Sequence, residues 1–242
     1  MYSSIKRLVR KLFPGLLKRN EDFIRRILAL AYRGTTYKCS VCSYSLSKFI
    51  SLDRGDLLCP RCGSLGRSRR LWTLLEPQKE SKKVLHFSPP TCMKTRLEKW
   101  VHFDYLSSDY EDEFEADLHL DITAMSLPSS SLDLIICYHV LEHIPNDIQA
   151  MKELYRVLKP SGSIYIQTPF SSDAFLEDLS ITSPQRRLEL YGQADHVRIY
   201  TVDELARRLE SVGFKIDLLE FQEEKDNRFG FKEEETVLLV KK

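Results

Sequence analysis

The sequence predicts an α/β fold built on a parallel, doubly wound sheet, and three observations predict it. Leu132 to Cys137 is an apolar run rich in β-branched residues, of the length and composition of a strand buried on both faces. A helix follows it, with Ile148, Met151, Leu154, Tyr155 and Leu158 at three- and four-residue steps, so one face must pack. A second apolar strand, Ser163 to Thr168, completes a strand, helix, strand unit that a parallel sheet closes with a right-handed crossover. Pro145 stands where a first helical turn tolerates proline. Lys159-Pro160-Ser161-Gly162 reads as the helix stop, because proline cannot continue the helix and glycine supplies a tight turn.

The chain's 242 residues suffice for one full α/β domain plus a small accessory module. Hydrophobic content of 43% and charged content of 29% read as soluble and globular. No run of eighteen apolar residues exists and no secretory signal pattern opens the chain. Six cysteines, four of them in two close pairs, lead us to expect reduced thiols and a bound metal in the cytoplasm rather than a disulfide frame. The net charge of +1 hides an asymmetry: residues 1–38 hold ten basic residues against Glu21 and Asp22. Such a segment suits an acidic surface, whether lipid, nucleic acid or the rest of the chain. Within it, Ile5, Leu8, Val9, Leu12, Phe13, Leu16 and Leu17 follow helical spacing, and Phe23, Ile24, Ile27, Leu28 and Ala31 follow the Pro14-Gly15 break. Residues 1–36 therefore read as basic amphipathic helices, which either pack on the protein or lie on the inner face of a membrane through residues 1–34.

Residues 37–66 carry Cys39-Ser40-Val41-Cys42 and, sixteen residues on, Cys59-Pro60-Arg61-Cys62. This is the spacing of a zinc ribbon: each pair turns tightly to present two thiolates, and four thiolates close a tetrahedral structural Zn²⁺ site with no open position. Gly63 suits the sharp reversal after the second pair. Arg61, Arg67, Arg69 and Arg70 crowd the exit of the ribbon, which raises nucleic acid as a partner, though no interleaved aromatics accompany them. Residues 67–82 read as a linker helix, and residues 83–242 as the main domain.

In that domain, strands are expected at Lys83 to Phe87, His102 to Ser107, Ala116 to Leu120, Phe214 to Leu219 and Thr236 to Val240. Thr201 to Glu204 is a capping box that opens a helix ending near Ser211, with Gly213 at its exit. The charged stretch Gln222 to Glu235 reads as an exposed linker. Residues 170–199 form an insertion with few regular patterns, of the kind that makes lids and binding loops over strand ends. Its densest polar cluster, Gly192 to Arg198, offers His196 as general base oriented by Asp195, with Arg198 and Gln193 binding substrate, or else residues that merely pin the lid.

Asp133-Leu134-Ile135-Ile136, His139-Val140-Leu141-Glu142-His143 and Arg156 to Gly162, in that order, resemble the post-core motifs of class I S-adenosylmethionine-dependent methyltransferases. The lead-out of the ribbon is also similar to that of a group of such enzymes bearing a zinc ribbon. The resemblance implies a Rossmann-like seven-stranded sheet with its last strand antiparallel and S-adenosyl-L-methionine as cofactor. It places His86, Phe87 and Ser88 at the first strand end, where the family usually has an acidic residue and a glycine-rich turn. It further implies Asp109 at the ribose hydroxyls, Asp121 and Ile122 at the adenine, and Tyr138 and His139 under the sulfonium methyl. The lesser reading of Asp121 is a turn cap before Thr123. Glu142 and His143 read either as structural parts of the motif or as bases, His143 being the stronger catalytic candidate. The expected reaction is methyl transfer to oxygen or nitrogen of a small-molecule, sugar or glycolipid acceptor. RNA methylation and a catalytically silent scaffold are the alternatives, the latter because no glycine lies between Gly66 and Gly162.

Overall fold

The structure is a computed structural model that describes residues 23–52, 55–223 and 226–242. The chain divides into two compact units, one of residues 1–77 with 223–233 and the other of residues 78–222 with 234–242.

In the first unit, residues 23–30 are helical, while the more N-terminal of the two basic helices lies outside the described residues. Strand β1 (Arg33–Lys38) pairs antiparallel with β2 (Ser45–Leu46), and β3 (Ile50–Ser51) with β4 (Leu57–Leu58). Each ladder delivers one cysteine pair. Helix α1 (Gly66–Leu75) then buries Leu71, Trp72 and Leu75. Its Arg69 is fully buried, donating to the carbonyls of Ser64 at 2.6 Å, Leu57 at 3.0 Å and Phe229 at 2.6 Å, and to that of Gly230. The expected exposed linker is only partly so: Gln222, Asp226, Arg228, Glu233 and Glu234 are exposed, but its middle is tied to the first unit. Phe229 and Gly230 supply acceptors to Arg69, and the Arg228 carbonyl accepts from the Lys38 amide at 2.9 Å.

The second unit opens with β5 (Lys82–Phe87), α2 (Thr91–Leu97), β6 (Phe103–Ser108) and β7 (Leu132–Tyr138). A 3-10 turn at Leu141–His143 precedes α3 (Asp147–Val157), and β8 (Leu158–Gln167) follows. The insertion contributes β9 (Leu176–Glu177), α4 (Pro184–Tyr191) and β10 (Arg198–Ile199). The chain ends with α5 (Val202–Val212), β11 (Lys215–Gln222) and β12 (Glu234–Lys241). The main sheet has the order β11-β12-β8-β7-β5-β6, in which β5, β6, β7 and β8 are parallel and β12 is antiparallel to both neighbours. The expected α/β doubly wound fold is borne out.

Four local expectations change. The strand expected at Ala116 to Leu120 is reduced to one parallel bridge, Ser108 to Leu118, so the sheet has six strands rather than seven. The stretch hydrogen-bonds to Ser107 instead of extending along it: Asp117 Oδ2 accepts from the Ser107 amide at 2.9 Å and hydroxyl at 2.6 Å. Pro145 falls two residues before α3, whose N-cap is Asn146, its side chain accepting from the Gln149 amide. Lys159 to Gly162 is not a loop: α3 passes directly into β8, and these residues bulge between the pairs Leu132–Leu158 and Leu134–Ser163. Proline is tolerated in a bulge because no ladder bond is asked of it. Finally, the insertion is more regular than expected. Ser183 caps α4, Pro184 stands in its first turn and Gly192 closes it at φ +75°.

Leu85, Leu132, Ile135, Met151, Leu154, Ile164 and Leu238 form the centre of the core, joined by Leu205 and Leu209 of α5. The helical spacing read from the sequence is the packed face. Thr201 caps α5 by accepting from the Glu204 amide at 3.1 Å, and Gly213 ends it at φ +111°. The Glu204 carboxylate goes to Arg207 and Arg208, so only half of the reciprocal box forms.

Candidate functional site

Two constellations stand out, one in each unit. In the first, the Sγ atoms of Cys39 and Cys62 are 3.7 Å apart and those of Cys42 and Cys59 are 3.8 Å apart. All four lie within 4.8 Å of one another. A tetrahedron with metal–sulfur bonds of about 2.3 Å has edges of about 3.8 Å, so the donor set fits a Zn²⁺. Both knuckles fold alike. The Ser43 amide donates to Cys39 O and the Gly63 amide to Cys59 O, and both residues take left-handed backbone, at φ +60° and +78°. Gly63 is the position whose permissive backbone the sequence signalled; Ser43 does the same without glycine.

Two of the four arginines at the ribbon exit are less available than the nucleic-acid alternative requires. Arg69 is spent on carbonyls and lies over the Phe49 ring, while Arg70 pairs with Glu223 and lies over Phe231.

In the second unit, the carboxyl ends of β5 and β7 flank the point where the sheet's winding reverses, the crevice where ligands of such sheets bind. Both strands leave that edge by a left-handed residue, Ser88 at φ +45° and His139 at φ +56°. The Ser88 amide donates to Ser108 O at 2.7 Å and the His139 amide to Gln167 O at 2.8 Å. Ser88 therefore makes the reversal that glycine makes in the related pattern, at the conformational cost a side chain carries there. His86 faces away from solvent, with Nδ1 3.0 Å from the Tyr105 hydroxyl, and burial pushes its pKa down to about 3.

Beyond β7, the 3-10 turn and the end of the insertion bring Glu142, His143 and His196 together, with ligand-type atoms within 4.8 Å of one another. Glu142 is 1% exposed, and its Oε1 is 3.2 Å from Nδ1 of His139. Burial opposes its ionisation, but His139 and then His143 outweigh it and hold the carboxyl below the usual range. His143 and His196 meet edge to face, with centroids 4.7 Å apart. Burial lowers the pKa of His196. Asp195 does not orient His196 as expected: its carboxylate is 3.2 Å from Nδ1 of His143.

Arg198 is a clear correction. It is fully buried, and its guanidinium donates to the Leu141 carbonyl at 2.9 Å, the Pro145 carbonyl at 2.9 Å, the Ile144 carbonyl and Glu177 at 2.6 Å. These bonds clamp the insertion to the turn after β7, so Arg198 has a structural task and no reach to a substrate anion. The pinning alternative holds for it. Gln193 is exposed on the loop after α4.

The model of a family described as "Methyltransferase domain" matches residues 66–219. The chain belongs to this methyltransferase-domain family. A protein of Mycolicibacterium smegmatis described as a "probable S-adenosylmethionine-dependent methyltransferase" is 29% identical over 99 residues, which are 41% of this chain and 35% of that one. The chain thus matches only about a third of that relative's length. The crystal structure of a SAM-dependent methyltransferase from Archaeoglobus fulgidus superposes with a TM-score of 0.54 at 20% identity, covering 73% of this chain and 93% of that one. The latter likeness concerns the fold. The class I resemblance read from the motifs is borne out.

Within this methyltransferase, the remaining sequence candidates divide by environment. Asp109, 5% exposed at the tip of β6, accepts with Oδ2 from the Glu113 amide at 2.7 Å and the Phe114 amide at 3.1 Å. That oxygen orders its own loop, and Oδ1 takes neither bond. Asp121 is the turn cap: Oδ1 accepts from the Thr123 amide at 2.8 Å and hydroxyl at 2.7 Å, which lowers its pKa. Phe87 and Ile122 lie in the apolar core, both 4% exposed. Tyr138 ends β7, opposite Gln167 of β8. Sequence reasoning took Glu142 chiefly for a motif residue; the signal it underused was a carboxylate directly beside a histidine at the exit of a buried strand.

Proposed function

We propose that this methyltransferase moves the methyl group of S-adenosyl-L-methionine to an oxygen or nitrogen of a small-molecule, sugar or glycolipid acceptor. One observation carries the reading: the reversal of winding between β5 and β7 is bordered by Ser88, Asp109 and His139, and a buried acid–imidazole cluster follows at the same strand end. Bound there, S-adenosyl-L-methionine supplies an electrophilic sulfonium methyl. The ribose hydroxyls suit Oδ1 of Asp109, and the free edge of Asp121 suits the adenine amine. Tyr138 and His139 border the methyl, where their task is alignment and exclusion of water. Glu142, His143 and His196 meet the acceptor and ease the loss of its proton.

The four cysteines hold one structural Zn²⁺ in this reading. A lipid-linked acceptor agrees with the helical segment over residues 23–30, where Phe23, Ile24 and Ile27 are exposed. RNA is disfavoured, since Arg69 and Arg70 point into their own unit.

Calorimetric titration with S-adenosylhomocysteine tests the site. Micromolar binding by the full chain, weakened about tenfold or more in Asp109→Asn, is the expected result; a tenfold change corresponds to about 1.4 kcal/mol. Absence of binding favours the silent scaffold.

A further inference from the structure

We propose that Glu142, His143 and His196 form a second metal site, one that takes a divalent first-row transition cation beside the methyl-transfer crevice. This deepens the proposed function and rests on it for the cation's purpose, though not for its binding.

The donor set is two imidazoles and one carboxylate, with candidate ligand atoms within 4.8 Å of one another. Nitrogen donors with a carboxylate suit Mn²⁺, Fe²⁺, Co²⁺ and Zn²⁺, whereas Ca²⁺ and Mg²⁺ prefer all-oxygen shells. Two of the three residues are buried, Glu142 at 1% and His196 at 2% exposure. Yet Oε2 of Glu142 and Nε2 of His196 have no hydrogen-bond partner, and Oε1 of Glu142 has only Nδ1 of His139, at 3.2 Å. Buried polar atoms without well-made bonds are costly and uncommon, and a cation held between Glu142 and His196 would satisfy them.

The surroundings fit as well. Nδ1 of His143 lies 3.2 Å from Asp195, which leaves Nε2 as the ligating nitrogen and supplies the outer carboxylate that metal-bound histidines usually have. His139, 3.2 Å from Glu142, borders the same point and directly follows the strand that approaches the crevice. Arg198 fixes the geometry from behind through the carbonyls of Leu141 and Pro145, and the Val197 amide donates to the Glu142 carbonyl at 3.0 Å. The two halves of the site, more than fifty residues apart in sequence, are thereby held as one piece.

Three protein ligands leave coordination positions open, the arrangement of catalytic rather than structural sites. His143 itself is 30% exposed. A hydroxyl acceptor held there loses its proton to water more readily. Its oxygen then bonds to the methyl carbon as the carbon–sulfur bond breaks, and the electron pair returns to sulfur as a neutral thioether.

Mn²⁺ titration of the full chain, with its cysteine zinc retained, tests the site by the loss of the free Mn²⁺ electron-paramagnetic signal. Manganese discriminates because thiolates bind it poorly. The expected result is one bound Mn²⁺ per chain, with affinity lowered at least tenfold in Glu142→Gln and in His196→Asn. Asp195→Asn, on an exposed residue that does not endanger folding, is expected to weaken binding about tenfold. No Mn²⁺ binding by the wild-type chain, or unchanged affinity in all three variants, overturns the site. Calorimetry with S-adenosylhomocysteine on the same samples separates the two ideas: Mn²⁺ bound without it sinks the methyl-transfer reading and spares the metal site, and the reverse spares the methyl-transfer reading alone.

Discussion

Arg198 shows how one side chain can carry the geometry of a site it does not belong to. Its guanidinium satisfies carbonyls of the turn that bears Glu142 and His143, and its partner Glu177 lies on the neighbouring strand β9. Removing it leaves those buried carbonyls without their donor, while Glu177 keeps only Arg208. Arg198→Ala is expected to cost about 3–5 kcal/mol in urea unfolding. A second residue-scale prediction concerns pH. The folded pKa of His86 is depressed to about 3 from the ordinary 6.5, so the unfolded chain binds the proton first. Its contribution is present above pH 6.5 and is lost as pH falls towards 3. Wild-type stability should therefore drop more steeply across that window than that of His86→Gln, measured by denaturant unfolding at several pH values. At this scale the sequence showed the residue types but not their directions: Arg198 and His86 look polar and available in a string of letters, and only long-range packing turns them inward.

Among elements, the passage from α3 to β8 is the most demanding. With no connecting loop, Lys159 to Gly162 must bulge and return to register within the strand. Gly162 is required because a Cβ there would lie 2.7 Å from Leu158 Cδ1 and 3.1 Å from the Lys159 carbonyl. Leu158 is fully buried and has little room to move. Gly162→Ala should cost about 1–3 kcal/mol, read from the shift of the urea midpoint. Elements with strong local signals were legible: the buried strands around Ile135 and Ile164, the apolar face of α3, and the cap of α5. The third strand was not, because its residues find side-chain and backbone bonds to Ser107 that replace a ladder. Helix α4 could have been read from Ser183, Pro184 and Gly192, but its weakly apolar face hid it among polar residues.

Across the whole molecule, a four-cysteine unit and a methyltransferase unit are interleaved along the chain, for residues 223–233 return to the first unit between two strands of the second. Such a return leaves no local trace in composition, so the stretch read as an exposed linker. Among the described residues, no helix is long and apolar enough to cross a membrane. The cysteine spacing and the motif order after β7 were legible because each is fixed by chemistry over a short span, ligand geometry in one case and a single strand-to-helix turn in the other. The acid–imidazole cluster was only half legible, since Glu142 and His196 meet through the fold of the insertion. The central claim is that this edge of the sheet carries methyl transfer to a small acceptor. Its most direct test incubates the full chain with methyl-labelled S-adenosylmethionine and fractionated cell extract. Label in the small-molecule or lipid fraction, and much less with Glu142→Gln, is the predicted result; label confined to RNA, or no transfer to any fraction, would contradict it.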